Sequence, residues 1–372
     1  MRTILYDEHV KLGGKIVDFA GWEMPLWYKK GQSVEHHATR KAVGLFDICH
    51  MGEFDITGKG SREMMAKILT NDILGMEEGQ AMYNFMLNEK GGVIDDCIIY
   101  KFNDEKWFLV VNAGGIPGDF EWLKKNAPAG VSVVNKSDNM AKLDLQGPNA
   151  PKIIRDLAGE EVLDKFGFFR FRDNVKLKNI NVLLSRTGYT GEIGFEIYSD
   201  IKDAVELWNM LLSAGEKYGI EPCGLGARDS LRTEAGLPLH GHEIHPDIPA
   251  LATPWDFVFE WEHEFIGKAA LNKVKAEGIK SHTIPFVMNG RSKAMHGWNV
   301  FLDGKKIGHV VSGVLSPTLD NKPIGFLISE IPLETGTKLT FCEEGKNRIL
   351  EGEVSTSPFV KPTSRMKMKN FL

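Results

Sequence analysis

Four cysteines are all that the 372 residues contain. Cys49, Cys97, Cys223 and Cys342 lie far apart, and none forms a C-x-x-C pair. That excludes a disulfide scaffold and a cysteine-based zinc site, and it suits free thiols in a reducing compartment, by default a bacterial cytoplasm. No apolar run approaches the roughly 20 residues that span a bilayer, so no membrane partner is expected. The first residues, Met1 to His9, lack the apolar stretch of a signal peptide. Positive charge is not in excess: 45 Lys and Arg stand against 50 Asp and Glu. The basic residues are scattered, which argues against nucleic acid as a partner. No glycine-rich stretch has the spacing of a dinucleotide fingerprint or a P-loop. Internal repeats and low-complexity segments are also missing.

What is present is an ordinary globular composition, long enough for two or three domains. The first part alternates strands and short helices. Helices are predicted over Ser33 to Val43, with Ser33 as N-cap, and over Ser61 to Thr70, Gly118 to Lys125, Ala150 to Leu157 and Asp203 to Gly215. Strands are predicted over Phe54 to Thr57, Trp107 to Asn112, Val131 to Val134, Ala141 to Gln146, Val182 to Arg186 and Gly194 to Tyr198. From about Thr283 the rhythm changes to short strands split by Gly, Pro and Asn, among them Asn299 to Leu302, Lys306 to Val311 and Ile324 to Ile328. That rhythm marks a small all-β unit. The expected division is therefore 1–282 and 283–372.

The most informative stretch runs from Asn88 to Tyr100. Gly91 and Gly92 favour a tight turn. The apolar run Val93, Ile94, Cys97, Ile98 and Ile99 reads as a buried strand, yet Asp95 and Asp96 sit inside it. A buried carboxylate costs several kcal/mol unless compensated. Adjacent strand residues face opposite ways, so one aspartate can face solvent or cap the turn while the other faces a cavity. The alternative is that both are solvated residues flanking the turn.

At these residues the chain resembles the aminomethyltransferase, or T-protein, family of the glycine cleavage system. The resemblance covers nearly the whole length. It is carried by Asp18 to Leu26, Gly44 to Asp47, His50 to Glu53, Asn88 to Asp96, Leu145 to Pro148, Arg186 to Glu192, Gly194 to Glu196, Gly224 to Asp229, Phe265 to Lys268, and Ser312-Gly with Ser316 to Thr318. The resemblance implies an α+β fold: a three-domain cloverleaf around a central folate site, its first two domains interleaved, with a C-terminal β-barrel. It implies tetrahydrofolate as co-substrate, with no metal and no flavin, and a lipoylated carrier protein as partner. It places Asp96 beside N5 as the catalytic carboxylate, Glu196 on the pterin edge and Arg228 in the folate pocket. Tyr83, Asn112, Tyr189 and Met51 complete the expected cofactor-binding set, and each also reads as ordinary packing.

Some segments depart from the family pattern. His240-Gly-His-Glu-Ile-His245 follows Leu239 where the family has Leu-Tyr-Gly after Glu-Ala-Gly, and Met295 replaces an arginine in Ala294-Met-His-Gly-Trp298. His240, Met295 and Trp298 are therefore the expected substrate side. His240, His242 and His245 with Glu243 have metal-ligand types, but a single short cluster supplies no distant ligand. The leading expectation is transfer of an aminomethyl carbon to tetrahydrofolate with release of ammonia. The alternative is a tetrahydrofolate-dependent demethylase acting on a small S-, N- or O-methylated substrate, since the fold supports both. A non-catalytic folate-binding assembly factor is the third reading, and retention of Asp96 and Arg228 weighs against it.

Overall fold

The computed structural model describes residues 1–346 and 348–372. The strand Val43–Asp47, buried at all five positions, lies next to one edge of the six-stranded first sheet. Its neighbours are Met140–Gln146, antiparallel, and Ile220–Cys223, parallel. Gly194–Asp200, Ile180–Ser185 and Phe171–Leu177 extend the sheet beyond Met140–Gln146. The chain leaves this sheet after Asp47, builds a second one, and returns at Met140. The second sheet is antiparallel, in the order Gln80–Leu87, Val93–Asn103, Lys106–Val111, Gly52–Thr57, Ser132–Asn135.

The C-terminal region closes into a barrel of His282–Met288, Lys322–Ser329, Lys305–Ser316, Asn299–Leu302, Lys338–Cys342 and Ile349–Val354. Closure removes the exposed edges that short strands would otherwise present. Phe286, Val300, Val310, Leu327 and Phe341 fill it. The mixed helix-and-sheet class and the barrel agree with the sequence expectation. The four cysteines are free, and Cys49, Cys97 and Cys223 are buried. Among the described residues, no helix is long and apolar enough to cross a membrane.

Some element ends differ from expectation. The helix predicted from Ser33 runs Gln32–Lys41, with Gly31 at φ 82 as N-cap. Glycine enters that left-handed backbone without a steric cost, so Ser33 falls inside the first turn. The helix predicted to Thr70 stops at Ile68 because Thr70 joins the second sheet, its N–H donating to the Phe85 carbonyl at 3.2 Å.

The turn at Asn88 ties two distant segments together. The Asn88 Oδ1 accepts from the backbone N–H groups of Lys90 (2.9 Å) and Gly92 (3.1 Å), while its Nδ2 donates to the Pro246 carbonyl at 2.9 Å. The Val93 N–H donates to the His245 carbonyl, and the Ala250 N–H to the Gly91 carbonyl. This zipper holds the His240 to Pro249 segment against the strand that carries Asp95 and Asp96. Gly91 has φ +83, and a methyl on Gly92 would overlap the Pro246 carbonyl. Gly92→Ala is expected to destabilise the chain by about 1–3 kcal/mol, the usual cost of overpacking. Denaturant unfolding checks this, and an unchanged midpoint would show that the segment yields freely.

Candidate active site

Strand alternation sends the two aspartates to different places. Asp95 pairs in register with Met86, and Asp96 with Phe85. Asp95 is fully buried, on the same face as Cys97 and Ile99, which belong to the core beneath the Ile116–Asn126 helix. Asp96 shares its face with Ile98 and Tyr100, which belong to the cluster between the two sheets. The expectation that one of the pair faces solvent or caps the turn is overturned for Asp95. Asp95 is instead satisfied internally, accepting from Asn112 N at 3.0 Å and Asn112 Nδ2 at 2.7 Å.

Asn112 stands just beyond the Lys106–Val111 strand, and its side chain is shared. The Nδ2 also donates to Asp96 Oδ1 at 2.8 Å, and the Tyr83 hydroxyl donates to Asp96 Oδ2 at 2.9 Å. Asp96 thus has both oxygens held. Burial, then the neighbouring Asp95 charge, push its carboxyl up to about 7. His240 works against that rise. The His240 Nε2 is buried and has no hydrogen-bond partner. A carboxyl poised near neutrality can accept or hold a proton at working pH.

The same strand face leads to a second polar group. Four residues of extended chain separate Asp96 from Tyr100, about 13 Å. The Tyr100 hydroxyl bonds to the Tyr198 hydroxyl at 2.9 Å and to Glu196 Oε2 at 3.3 Å. Glu196 lies on Gly194–Asp200 and is 3 % exposed, so it is no solvated strand carboxylate. Thr187 Oγ1 donates to it at 2.6 Å, and Lys142 Nζ lies 3.3 Å from Oε1. Burial would raise the Glu196 pKa, but Lys142 and Thr187 outweigh it, and the carboxylate stays below its ordinary value.

Arg228 rises from the first turn of the Leu225–Glu234 helix. It does not pair with Asp229 or Glu234, which bond to Arg232 and Arg40 respectively. It meets Asp144 Oδ2 at 3.3 Å, and its guanidinium lies 4.6 Å from the Tyr189 ring centroid. The Tyr189 hydroxyl donates to the Pro238 carbonyl. Met51 lies at the Glu196 end, its sulfur 3.5 Å from Lys142 Nζ.

The substrate-side residues separate. Trp298 is in the barrel core and Met295 is 45 % exposed. The loop carrying them touches the His240 segment through His296, whose ring lies 4.9 Å from that of His242. Both rings bond through Nδ1 to the Val311 carbonyl, at 2.7 Å and 2.8 Å. Glu243 is committed elsewhere, to Arg232 at 2.9 Å.

Several members of this site were not singled out from the sequence. Lys142, Asp144, Glu53, Tyr100 and Thr187 surround Glu196. For two of them a signal exists: in Ala141-Lys-Leu-Asp-Leu-Gln146 the charges recur at every second position of an apolar strand. Charges on one face of a buried strand need partners. Three buried atoms around Lys142 and Arg228 lack a hydrogen-bond partner: Asp144 Oδ1, Glu53 Oε1 and His50 Nδ1. Burial pushes Glu53 up to about 8 and His50 down to about 4. Burial also raises Asp144 to about 7. Unsatisfied donors and acceptors at one place fit a polar ligand with several N–H and C=O groups, as the pterin of tetrahydrofolate has.

Comparison with known proteins agrees with this architecture. Residues 5–263 match the family model of the GCVT N-terminal domain, and residues 282–361 match that of the glycine cleavage T-protein C-terminal barrel domain. The chain belongs to the glycine cleavage T-protein family. It is 45% identical over 329 residues to an aminomethyltransferase of Thermoanaerobacter pseudethanolicus, covering 88% of this chain and 89% of that one. It is 41% identical over 362 residues to one from Halalkalibacterium halodurans, covering 97% and 98%. The crystal structure of the glycine cleavage system aminomethyltransferase T from Bartonella henselae superposes with a TM-score of 0.90 at 32% identity, covering 98% of this chain and 99% of that one.

Lys142→Met removes the cation from a buried pair and is expected to cost about 3–5 kcal/mol at neutral pH. The pH dependence has a definite sign. The Glu196 pKa is depressed in the folded state, so its contribution is full above the unfolded value and lost as pH falls through the folded one. The stability gap between wild type and variant should therefore narrow in acid. Urea unfolding at pH 7 and pH 4 measures it, and a gap that widens in acid contradicts the pairing.

Proposed function

We propose that this chain is a tetrahydrofolate-dependent aminomethyltransferase, with Asp96 as its catalytic carboxylate and Glu196 and Arg228 as its folate ligands. The reaction moves the aminomethyl carbon from the lipoyl arm of a carrier protein to tetrahydrofolate and releases ammonia. Tetrahydrofolate, as co-substrate, supplies the nitrogen nucleophile that takes up the carbon. The observation that carries the assignment of roles is the single strand face with Asp96 at one end and Glu196 reached at the other through Tyr100. Glu196 would accept N–H groups of the pterin edge, and the orphaned acceptors beside it, Asp144 Oδ1 and Glu53 Oε1, add to that polar wall. Tyr189 and Met51 would supply flat and polarisable contact surface. Asp96, held by Asn112 and Tyr83, would stabilise positive charge developing on the transferred carbon and take up a proton. A cytoplasmic setting and a dependence on neither metal nor flavin belong to the same proposal.

Two measurements test these roles. Glu196→Ala and Arg228→Ala should each weaken binding of a stable tetrahydrofolate analogue by about 1.5–3 kcal/mol, read by titration calorimetry. Unchanged affinity in both variants would sink the folate assignment. Asp96→Asn preserves volume and removes charge, so it should retain folate and lose about 10²–10³ in turnover. Activity is read as ammonia released from aminomethylated carrier protein. Methyltetrahydrofolate formed from a methylated small molecule, with the carrier inert, would overturn the transfer reading in favour of the demethylase.

A further inference from the structure

Asp119 has no part in the site as described, yet it is a carboxyl group buried in the core beneath it. It stands in the first turn of the Ile116–Asn126 helix, 1 % exposed, and its Oδ2 has no hydrogen-bond partner. Its neighbour across the core is Asp95. A methyl built on Gly115 would lie 2.5 Å from Asp119 Oδ2 and 2.7 Å from Asp95 Oδ2, so the two carboxyl groups flank one small space. Among the described residues the charged groups facing Asp119 are the carboxyls of Asp95 and Asp96, and Asp95 is held by N–H groups of Asn112 and Asp96. Two buried carboxyl groups this close cannot both ionise.

The donors decide where the proton sits. Asp95 accepts from Asn112 N at 3.0 Å, Asn112 Nδ2 at 2.7 Å and Asp96 N at 2.9 Å. Three N–H groups stabilise an anion on Asp95. Asp119 has nothing comparable, so it keeps the proton and can donate it to Asp95. Burial first, then Asp95, drive the Asp119 pKa far above the ordinary carboxyl range. The titratable groups facing it are Asp95, Asp96 and Cys97, all on Val93–Asn103.

We propose that Asp119 is a positioning residue for Asp96, acting through a proton shared with Asp95 that fixes Asn112 and so the direction of the Asp96 carboxyl. Asn112 divides one amide between Asp95 Oδ1 and Asp96 Oδ1, at 2.7 Å and 2.8 Å. Anchoring Asp95 from below keeps that amide pointing at both. The inference rests on the folate-dependent transfer reading of the same site.

The test compares Asp119→Asn with Asp119→Ala in the full-length protein. The asparagine amide can donate an N–H to Asp95, so its kcat should stay within about threefold of wild type with an unchanged pH–rate profile. The alanine variant lacks the donor. Its kcat should fall by about 10- to 100-fold, with a displaced pH–rate profile, while its Kd for a stable tetrahydrofolate analogue stays within about threefold. Alanine that leaves kcat and the pH profile unmoved overturns the proposal, as does asparagine that is as damaging as alanine.

A second arm needs neither activity nor a folded alanine variant. The folded state holds the Asp119 proton more tightly than the unfolded chain does, so that stabilisation fades as pH rises above the ordinary carboxyl value. Asp119→Asn cannot titrate, and its stability should gain on wild type between pH 5 and pH 9, roughly the range over which most folded proteins survive. Parallel curves overturn the shared proton. If wild type transfers no aminomethyl group at all, the functional reading fails and this arm alone decides the inference.

Discussion

Asp95 is a carboxyl group buried in an apolar core, and the arrangement of the site depends on how it is held. It cannot be left bare in a core of Met86, Cys97 and Ile99. Asn112 answers with two N–H groups, one from the backbone and one from the side chain. The same amide reaches around the strand to Asp96. The rotamer of Asn112 is therefore fixed by a structural requirement on one face and put to chemical use on the other. Burial, and after it the Asp95 charge, hold the neighbouring Asp96 carboxyl near neutrality. Replacing Asp95 by an apolar residue would suit the core better, but it would free the Asn112 amide and lessen the rise at Asp96.

The far end of the site follows the same rule, with cations in place of neutral N–H donors. Glu196 and Asp144 are directly opposed in the register of their strands. Side by side and buried, they would repel, and Lys142 and Arg228 separate their charges. Arg228 comes from a helix and Lys142 from a strand, so the pocket is held at both sides by ion pairs between different elements. The zipper between Asn88–Val93 and His245–Ala250 then brings His240 towards Asp96. Charge burial at three points thus fixes the positions of groups that come from segments far apart in the chain.

Much of this was legible in the sequence because local rules applied. Glycines at 91 and 92 and a strand bearing two aspartates gave the turn, the strand and the opposite facing of the pair. The change of rhythm near Thr283 marked a small all-β unit, and the family resemblance implied that it closes as a barrel. What stayed hidden depended on pairing across the fold. The burial of Asp95 could not be read, because its compensating amide lies 17 residues away at Asn112. Lys142 showed as an odd charge in an apolar strand, but its partner, Glu196, became evident only from strand register. Ser33 was misplaced as a cap because Gly31 offered a cheaper backbone. Met295 and Trp298 lie close together in a segment that departs from the family pattern, while the barrel turned one outward and the other into its core.

The central claim is that the buried Asp96 carboxyl, held by Asn112 and Tyr83, keeps its proton up to neutral pH. Carbon-13 NMR of aspartate side-chain carboxyls, titrated from pH 4 to pH 9, measures this in the free protein, with assignments from single Asp-to-Asn variants. The account predicts that the Asp96 resonance moves with a midpoint near 7. An Asp96 that titrates near the ordinary carboxyl value of about 3.9 would contradict it.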